Sequence, residues 1–166
     1  NRRLEVIYTP GHSNDCIMLY DQSQSVLLSG DSYYNGAIFV QMDDLYFGKS
    51  SLEGYYLSME KVLKRYDEIK YVYSSHNQIM VNKEELIEFR DALVEIRRGM
   101  AEGVEVSGET YNYYGDPQPL TKFPYEHFSV IVDKCSLEIH NQVRLALDDG
   151  GYTCFLIKDK EIYNSY

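Results

Sequence analysis

Apolar positions in the first thirty residues fall into three short runs separated by polar or small-residue turns. Residues 4–8, 16–20 and 25–29 carry the aliphatic, β-branched and aromatic side chains that suit a pleated strand. Asp21-Gln22-Ser23-Gln24 reads as a polar hairpin connection between the second and third runs. Alternation is weak in the third run, Val26-Leu27-Leu28, which predicts burial on both of its faces. A loop over residues 32–36, an apolar stretch at 37–40 and an acidic pair, Asp43-Asp44, follow. Such a pair is more often a solvated loop than an acid–base or cation site.

Beyond residue 50 the period changes from two to between three and four. Leu52, Tyr55, Tyr56, Met59, Val62, Leu63 and Tyr66 form one apolar stripe, which predicts an amphipathic helix started by Ser50 or Ser51. A strand at 70–74 comes next. A second helix is predicted from Asn82, where Glu85 completes a capping-box-like spacing; its stripe is Leu86, Phe89, Leu93, Ile96 and Met100, with Gly103 as the stop. Strands alternating with helices predict an α+β fold, a mixed β-sheet with two covering helices. Past Gly103 the pattern breaks up. Residues 109–119 are rich in Tyr, Asn, Gly, Asp and Pro and read as an irregular loop. Short runs at 128–132, 136–140, 143–147, 152–157 and 161–163 favour a small antiparallel β meander. The spacing of Leu137, His140, Asn141, Arg144 and Leu145 also permits a helix over 134–148. The expected division is therefore 1–103, the main domain, and 104–166, an extension packed on it.

Composition narrows the function. At 166 residues and 44% hydrophobic content the chain suffices for one globular domain with a substantial core. A net charge of −10 argues against naked nucleic acid and against an anionic membrane surface, both of which would repel it. No run approaches the ~20 apolar residues of a membrane span, and no signal-peptide pattern opens the chain. Cys16, Cys135 and Cys154 are an odd number without a Cys-X-X-Cys pair, which favours a reduced, cytoplasmic protein over a disulfide framework. Cys16 itself reads as a small buried hydrophobe before it reads as a reactive thiol. Phosphate-binding Gly-X-Gly loops and a Gly-X-Ser-X-Gly elbow are absent.

Three residues carry candidate chemistry. His12 follows the run Val6-Ile7-Tyr8 in Thr9-Pro10-Gly11-His12. Asp31 follows Val26-Leu27-Leu28 in Ser29-Gly30-Asp31, and His76 follows Tyr71-Val72-Tyr73 in Ser74-Ser75-His76-Asn77. Taken singly, each residue is more often a satisfied loop side chain than a ligand. Here the same unit occurs three times: apolar strand, small-residue turn, ligand. Loops at strand ends are where a rigid scaffold presents chemistry. Two neutral imidazoles and a carboxylate suit zinc first, with iron or manganese also compatible. His127 and His140, unpaired and far downstream, read as surface or strand residues.

That order and wording resemble the second half of the metallo-β-lactamase superfamily, over about residues 4–80. Leu27-Leu28-Ser29-Gly30-Asp31-Ser32-Tyr33-Tyr34-Asn35-Gly36 looks most like the glyoxalase II and general hydrolase branches. The resemblance implies the C-terminal half of an αββα sandwich. It also implies metal ligation by His12, Asp31 and His76, with Asp31 bridging two ions and serving catalysis. By position, Ser75 and Asn77 are placed to orient the second imidazole, while Tyr33, Tyr34 and Asn35, just beyond Asp31, either line a substrate pocket or, more often for such residues, simply pack the loop. The implied chemistry is hydrolysis of a small ester, thioester or lactam by a metal-activated water. The family's His-X-His-X-Asp-His motif is not in this chain. The expectation is therefore a truncated domain, inactive alone, whose missing N-terminal half would supply the other ligands and cover an exposed sheet face. The rival expectation is a non-catalytic half-domain or interaction module that self-associates through that face.

Overall fold

The structure, a computed structural model, describes residues 2–40, 43–44, 48–106, 120–134, 137–138 and 141, with backbone only for Asp43 and Asp44. Strands β1 (Glu5–Tyr8), β2 (Ile17–Asp21), β3 (Val26–Gly30) and β4 (Gly36–Val40) come first. A small hairpin, β5 (Asp43–Asp44) with β6 (Gly48–Lys49), leads into α1 (Leu52–Leu63). Then follow β7 (Tyr71–Ser74), β8 (Met80–Val81), α2 (Glu85–Arg97), β9 (Val104–Val106), β10 (Leu120–Pro124) and β11 (Phe128–Asp133). The fold is α+β, with two helices and two mixed sheets among the described residues.

The first sheet has the order β1-β2-β3-β7-β8. β2 is antiparallel to both β1 and β3, and β7 is parallel to β3. Consequently β1, β3 and β7 all point the same way, and their C-terminal ends share one edge of the sheet. Alternate residues separate cleanly by face. Tyr20, Leu27, Val72 and Val81 lie in register on one face, with Ile7 and Met18 beside them, and all are buried. They share a core with Leu52, Tyr55, Met59 and Val62 of α1 and with Leu86, Phe89, Leu93 and Ile96 of α2. The opposite face carries another register row, Val6, Leu19, Leu28, Tyr73 and Met80, one residue from each strand. Val6 is 62% exposed and Met80 52%. Burial of β3 on both faces, expected from its continuous apolar run, is therefore corrected. Leu27 is buried while Leu28 is exposed, because the described residues cover this sheet on one side only.

The second sheet has the order β4-β11-β10-β9. β9, β10 and β11 form an antiparallel meander, of which only β11 falls on a run expected as a strand, and β11 also pairs in parallel with β4. Flanked on both sides, β11 is buried from Phe128 to Val132. The helix predictions hold with shifted ends. Ser51, not Ser50, caps α1, its hydroxyl accepting from the Gly54 N–H at 2.9 Å. α1 stops at Leu63, and Tyr66 falls in a separate 3-10 turn. α2 begins at Glu85 and ends at Arg97, short of Gly103, because Gly99 takes a positive φ of 65° and reverses the chain. Met100, expected in its stripe, is exposed. Lys134, Leu137, Glu138 and Asn141 have helical backbone, so the strand expected at 136–140 gives way there to the helical alternative. The loop at 109–119, the runs at 143–147, 152–157 and 161–163, and Cys135, His140 and Cys154 lie outside the described residues. No helix among the described residues is long and apolar enough to cross a membrane.

Candidate functional site

The shared strand edge places the three candidate ligands. Asp31 comes directly after β3, His76 two residues after β7, and His12 four residues after β1. The parallel run of these strands therefore delivers all three loops to one end of the sheet. Asp31 and His76 meet: Nε2 of His76 lies 3.0 Å from Oδ1 of Asp31. Both side chains are about half exposed, at 44% and 56%, so the pair contributes little to stability and stays open to a ligand.

His12 is held differently. Its Nδ1 lies 2.9 Å from the carbonyl oxygen of Phe39 in β4. A carbonyl can only accept, so Nδ1 carries the proton and the neutral ring keeps its lone pair on Nε2. A metal-ligating imidazole commonly has this second bond to a backbone carbonyl. Among the described residues, however, no group of three or more His, Cys, Asp and Glu side chains is arranged to hold a metal ion. The structure brings Asp31 and His76 into contact and does not gather His12 with them into a closed ligand set.

The surrounding residues depart from the roles expected of them. Ser75 turns its hydroxyl to Oδ1 of Asp31, at 2.5 Å, rather than to the imidazole. Asn77 donates its side-chain amide to the carbonyl of Asn35 and so joins the two loops. Besides Asp31, the His76 ring meets the ring of Tyr34 edge to face, with centroids 4.9 Å apart. The Tyr34 hydroxyl donates to the carbonyl of Ala37 at 2.7 Å, fixing the ring in place. Burial, with Asp31 nearby, pushes the Tyr34 phenol up to about 12. Tyr33 packs into the core instead of facing the loop surface. It is fully buried, its hydroxyl donating to Oε2 of Glu85 at 2.7 Å, and burial drives its phenol far above the ordinary range.

A buried network that no sequence motif announced ties the ligand loops together. The hydroxyls of Thr9 and Ser32 lie 2.8 Å apart, joining the His12 and Asp31 loops. Tyr55 of α1 donates to the Ser32 carbonyl at 2.7 Å, and Ser50 to the Gly11 carbonyl at 2.5 Å. Ser29 donates to the carbonyls of Tyr33 and, across β3–β7, of Tyr73. These pairs span 23 to 44 residues of sequence, apart from Ser29–Tyr33, so no local pattern could reveal them. Of the other candidates, His127 is exposed, as expected of a surface residue, and Cys16 is half-buried with its sulfur 3.1 Å from the Ser13 hydroxyl.

No protein-family model matches this chain, and no curated protein matches it. Solved structures do. A metallo-β-lactamase from Pontibacter korlensis is 23% identical over 56% of this chain and 42% of its own, with a TM-score of 0.43. A metallo-β-lactamase family protein from Thermus thermophilus is 18% identical over 59% of this chain and 32% of its own, with a TM-score of 0.44. The sec-alkyl sulfatase PisA1, as a double mutant, is 16% identical over 60% of this chain and 17% of its own, with a TM-score of 0.47. Over rather more than half its length this chain is thus similar to metallo-β-lactamases, and it spans less than half of theirs.

Proposed function

We propose that this chain contributes one wall of a metal-dependent hydrolase centre, with His12, Asp31 and His76 as its share of the ligands. The observation that carries the reading is the Asp31–His76 contact at the common end of three parallel strands, where the His12 loop also arrives. The donor set fits a divalent ion such as zinc: a carboxylate, an imidazole beside it, and a second imidazole held as the tautomer that frees Nε2. The fit is partial, since the described residues form no three-ligand cluster, and further ligands must complete the site. When bound, the ion would lower the pKa of a coordinated water toward about 7 and polarise a scissile carbonyl.

This chain's own residues hold the ligands for that task. Ser75 keeps Asp31 turned toward His76, Tyr34 fixes the imidazole plane, and Phe39 sets the His12 tautomer. A small ester, thioester or lactam is the substrate class we favour, from the Gly30-Asp31-Ser32-Tyr33-Tyr34 wording. Without a His-X-His-X-Asp-His run, the 166 residues alone should not turn such substrates over. An odd number of cysteines with no Cys-X-X-Cys pair is what favours a reducing, cytoplasmic setting. Calorimetric titration with zinc tests the ligand assignment. The chain should take up zinc weakly, and Asp31→Ala or His76→Ala should weaken uptake at least ~10-fold. Equal uptake by wild type and variants, or none by wild type, overturns it.

A second reading, an interaction module, is favoured by the apolar row of Val6, Leu19, Leu28, Tyr73 and Met80 across all five strands. Contiguous exposed apolar surface beyond a few hundred Å² marks an interaction site. In the isolated chain the occupant we infer is a second copy, sheet against sheet. The two readings are compatible, because the site lies at the edge of that same sheet.

A further inference from the structure

Glu85 is a carboxylate in the core, 3% exposed, at the first residue of α2. Both of its oxygens are engaged. Oε1 accepts the Asn82 N–H at 3.3 Å, the backward half of a capping box, and Oε2 accepts the Tyr33 hydroxyl at 2.7 Å. Capping explains the first bond. It does not explain the second, which reaches 52 residues back along the chain.

Tyr33 stands two residues after Asp31, in a short loop whose other anchors come from elsewhere. Ser32 is held by Thr9 and by Tyr55 of α1, and the Tyr33 carbonyl is held by Ser29 of β3. The Tyr33 ring packs against Phe89 of α2 and Phe128 of β11, with centroids 5.3 Å and 5.9 Å away. Those contacts fix the ring's position but leave its hydroxyl in need of a buried acceptor, since an unpaired polar group there is costly. Glu85 supplies it, near a helix N-terminus that favours negative charge.

We propose that Glu85 is a positioning residue for Asp31, acting through Tyr33. The proposal rests on the metal-centre reading for its functional meaning. The phenol couples the first turn of α2 to the Asp31 loop, so that α2 sets where the carboxylate meets His76. The bond is 2.7 Å long and sealed from water, where a hydrogen bond is stronger than at the surface.

The test reads the Asp31–His76 contact directly, by ¹⁵N NMR of the histidine ring nitrogens in the full chain at fixed pH. Three variants are compared: Tyr33→Phe keeps the ring and loses the hydroxyl, Glu85→Leu loses the acceptor, and Glu85→Gln keeps an amide able to pair with both neighbours. Tyr33→Phe and Glu85→Leu should move the His76 ring resonances toward those of Asp31→Ala, in which the contact is gone. Glu85→Gln should restore the wild-type positions. A folded Tyr33→Phe or Glu85→Leu with wild-type His76 resonances overturns the proposal, even if its melting temperature falls. If Glu85→Leu fails to fold, Tyr33→Phe alone decides. Failure of wild-type zinc uptake would sink the metal centre without touching this result, which needs no ion.

Discussion

At the scale of single residues, the candidate site is a few side chains whose partners determine what each can do. Asp31 accepts from Ser75 and contacts His76, so an incoming cation must displace the imidazole from the carboxylate before both can ligate. Tyr34 supports the imidazole from a nearly dry position, 8% exposed. Its phenol has a consequence for stability against pH. Below pH 10 the phenol is neutral both folded and unfolded. Between pH 10 and about 12 the unfolded chain loses the proton while the folded one keeps it, because burial and then Asp31 disfavour the phenolate. Stability from this group is therefore present below pH 10 and lost as the pH rises toward 12, by about 3 kcal/mol if nothing else changes. Urea unfolding at pH 9, 10 and 11 should show a falling midpoint, with Tyr34→Phe flattening the upper part of the curve. An unchanged slope in that variant would remove Tyr34 as the cause.

At the scale of elements, the Pro10-Gly11-His12 turn shows why a motif has the residues it has. A Cβ on Gly11 would land in the ring of Tyr55, which lies against the turn from α1. The glycine is needed for this close approach, since its backbone does not take a positive φ. The same Tyr55 donates to the Ser32 carbonyl, so one helix residue braces the loops of both His12 and Asp31. Replacing Gly11 by alanine must push the ring or the loop aside. We expect a loss of about 3 kcal/mol, at the upper end of overpacking effects, read from the denaturant midpoint. A near-neutral Gly11→Ala would mean that α1 does not clamp this turn. The Asp31 and His76 loops meet in a similar way at Gly36, whose φ is 138° and whose missing side chain makes room for the amide of Asn77.

For the whole molecule, the decisive feature is that, among the described residues, the first sheet is covered on one side only. Helices and the second sheet share the core with its inner face, while Val6, Tyr8, Ile17, Leu28, Tyr71, Tyr73 and Met80 remain exposed on the other. A net charge of −10 makes two copies repel at long range, yet the face itself is apolar. Association should therefore strengthen when salt screens the repulsion. Light scattering at micromolar concentration is expected to show a dimer or larger species, increasing with salt. Leu28→Asp, at the middle strand of the row, should return it to monomer. A monomeric wild type at high salt would remove the self-association reading.

The chain's own pattern was enough to determine the local elements. Short β-prone runs bounded by polar turns marked β1, β2 and β3, the stripe from Leu52 to Leu63 marked α1, and the spacing of Asn82 and Glu85 located the start of α2 to within three residues. It was enough, too, to put His12, Asp31 and His76 at strand ends, because turn chemistry and strand propensity act over a few neighbouring residues. Which loops meet was decided only by tertiary structure. β7 beside β3 brings His76 to Asp31, and β11 beside β4 joins distant strands in one sheet. Ser75 turning to the carboxylate, Tyr34 bracing the imidazole and Glu85 reaching Tyr33 all depend on such pairings. The physical reason is range. Hydrophobic period and backbone propensity are written in adjacent residues, whereas a hydrogen bond across the core exists only after the sheet has chosen its neighbours.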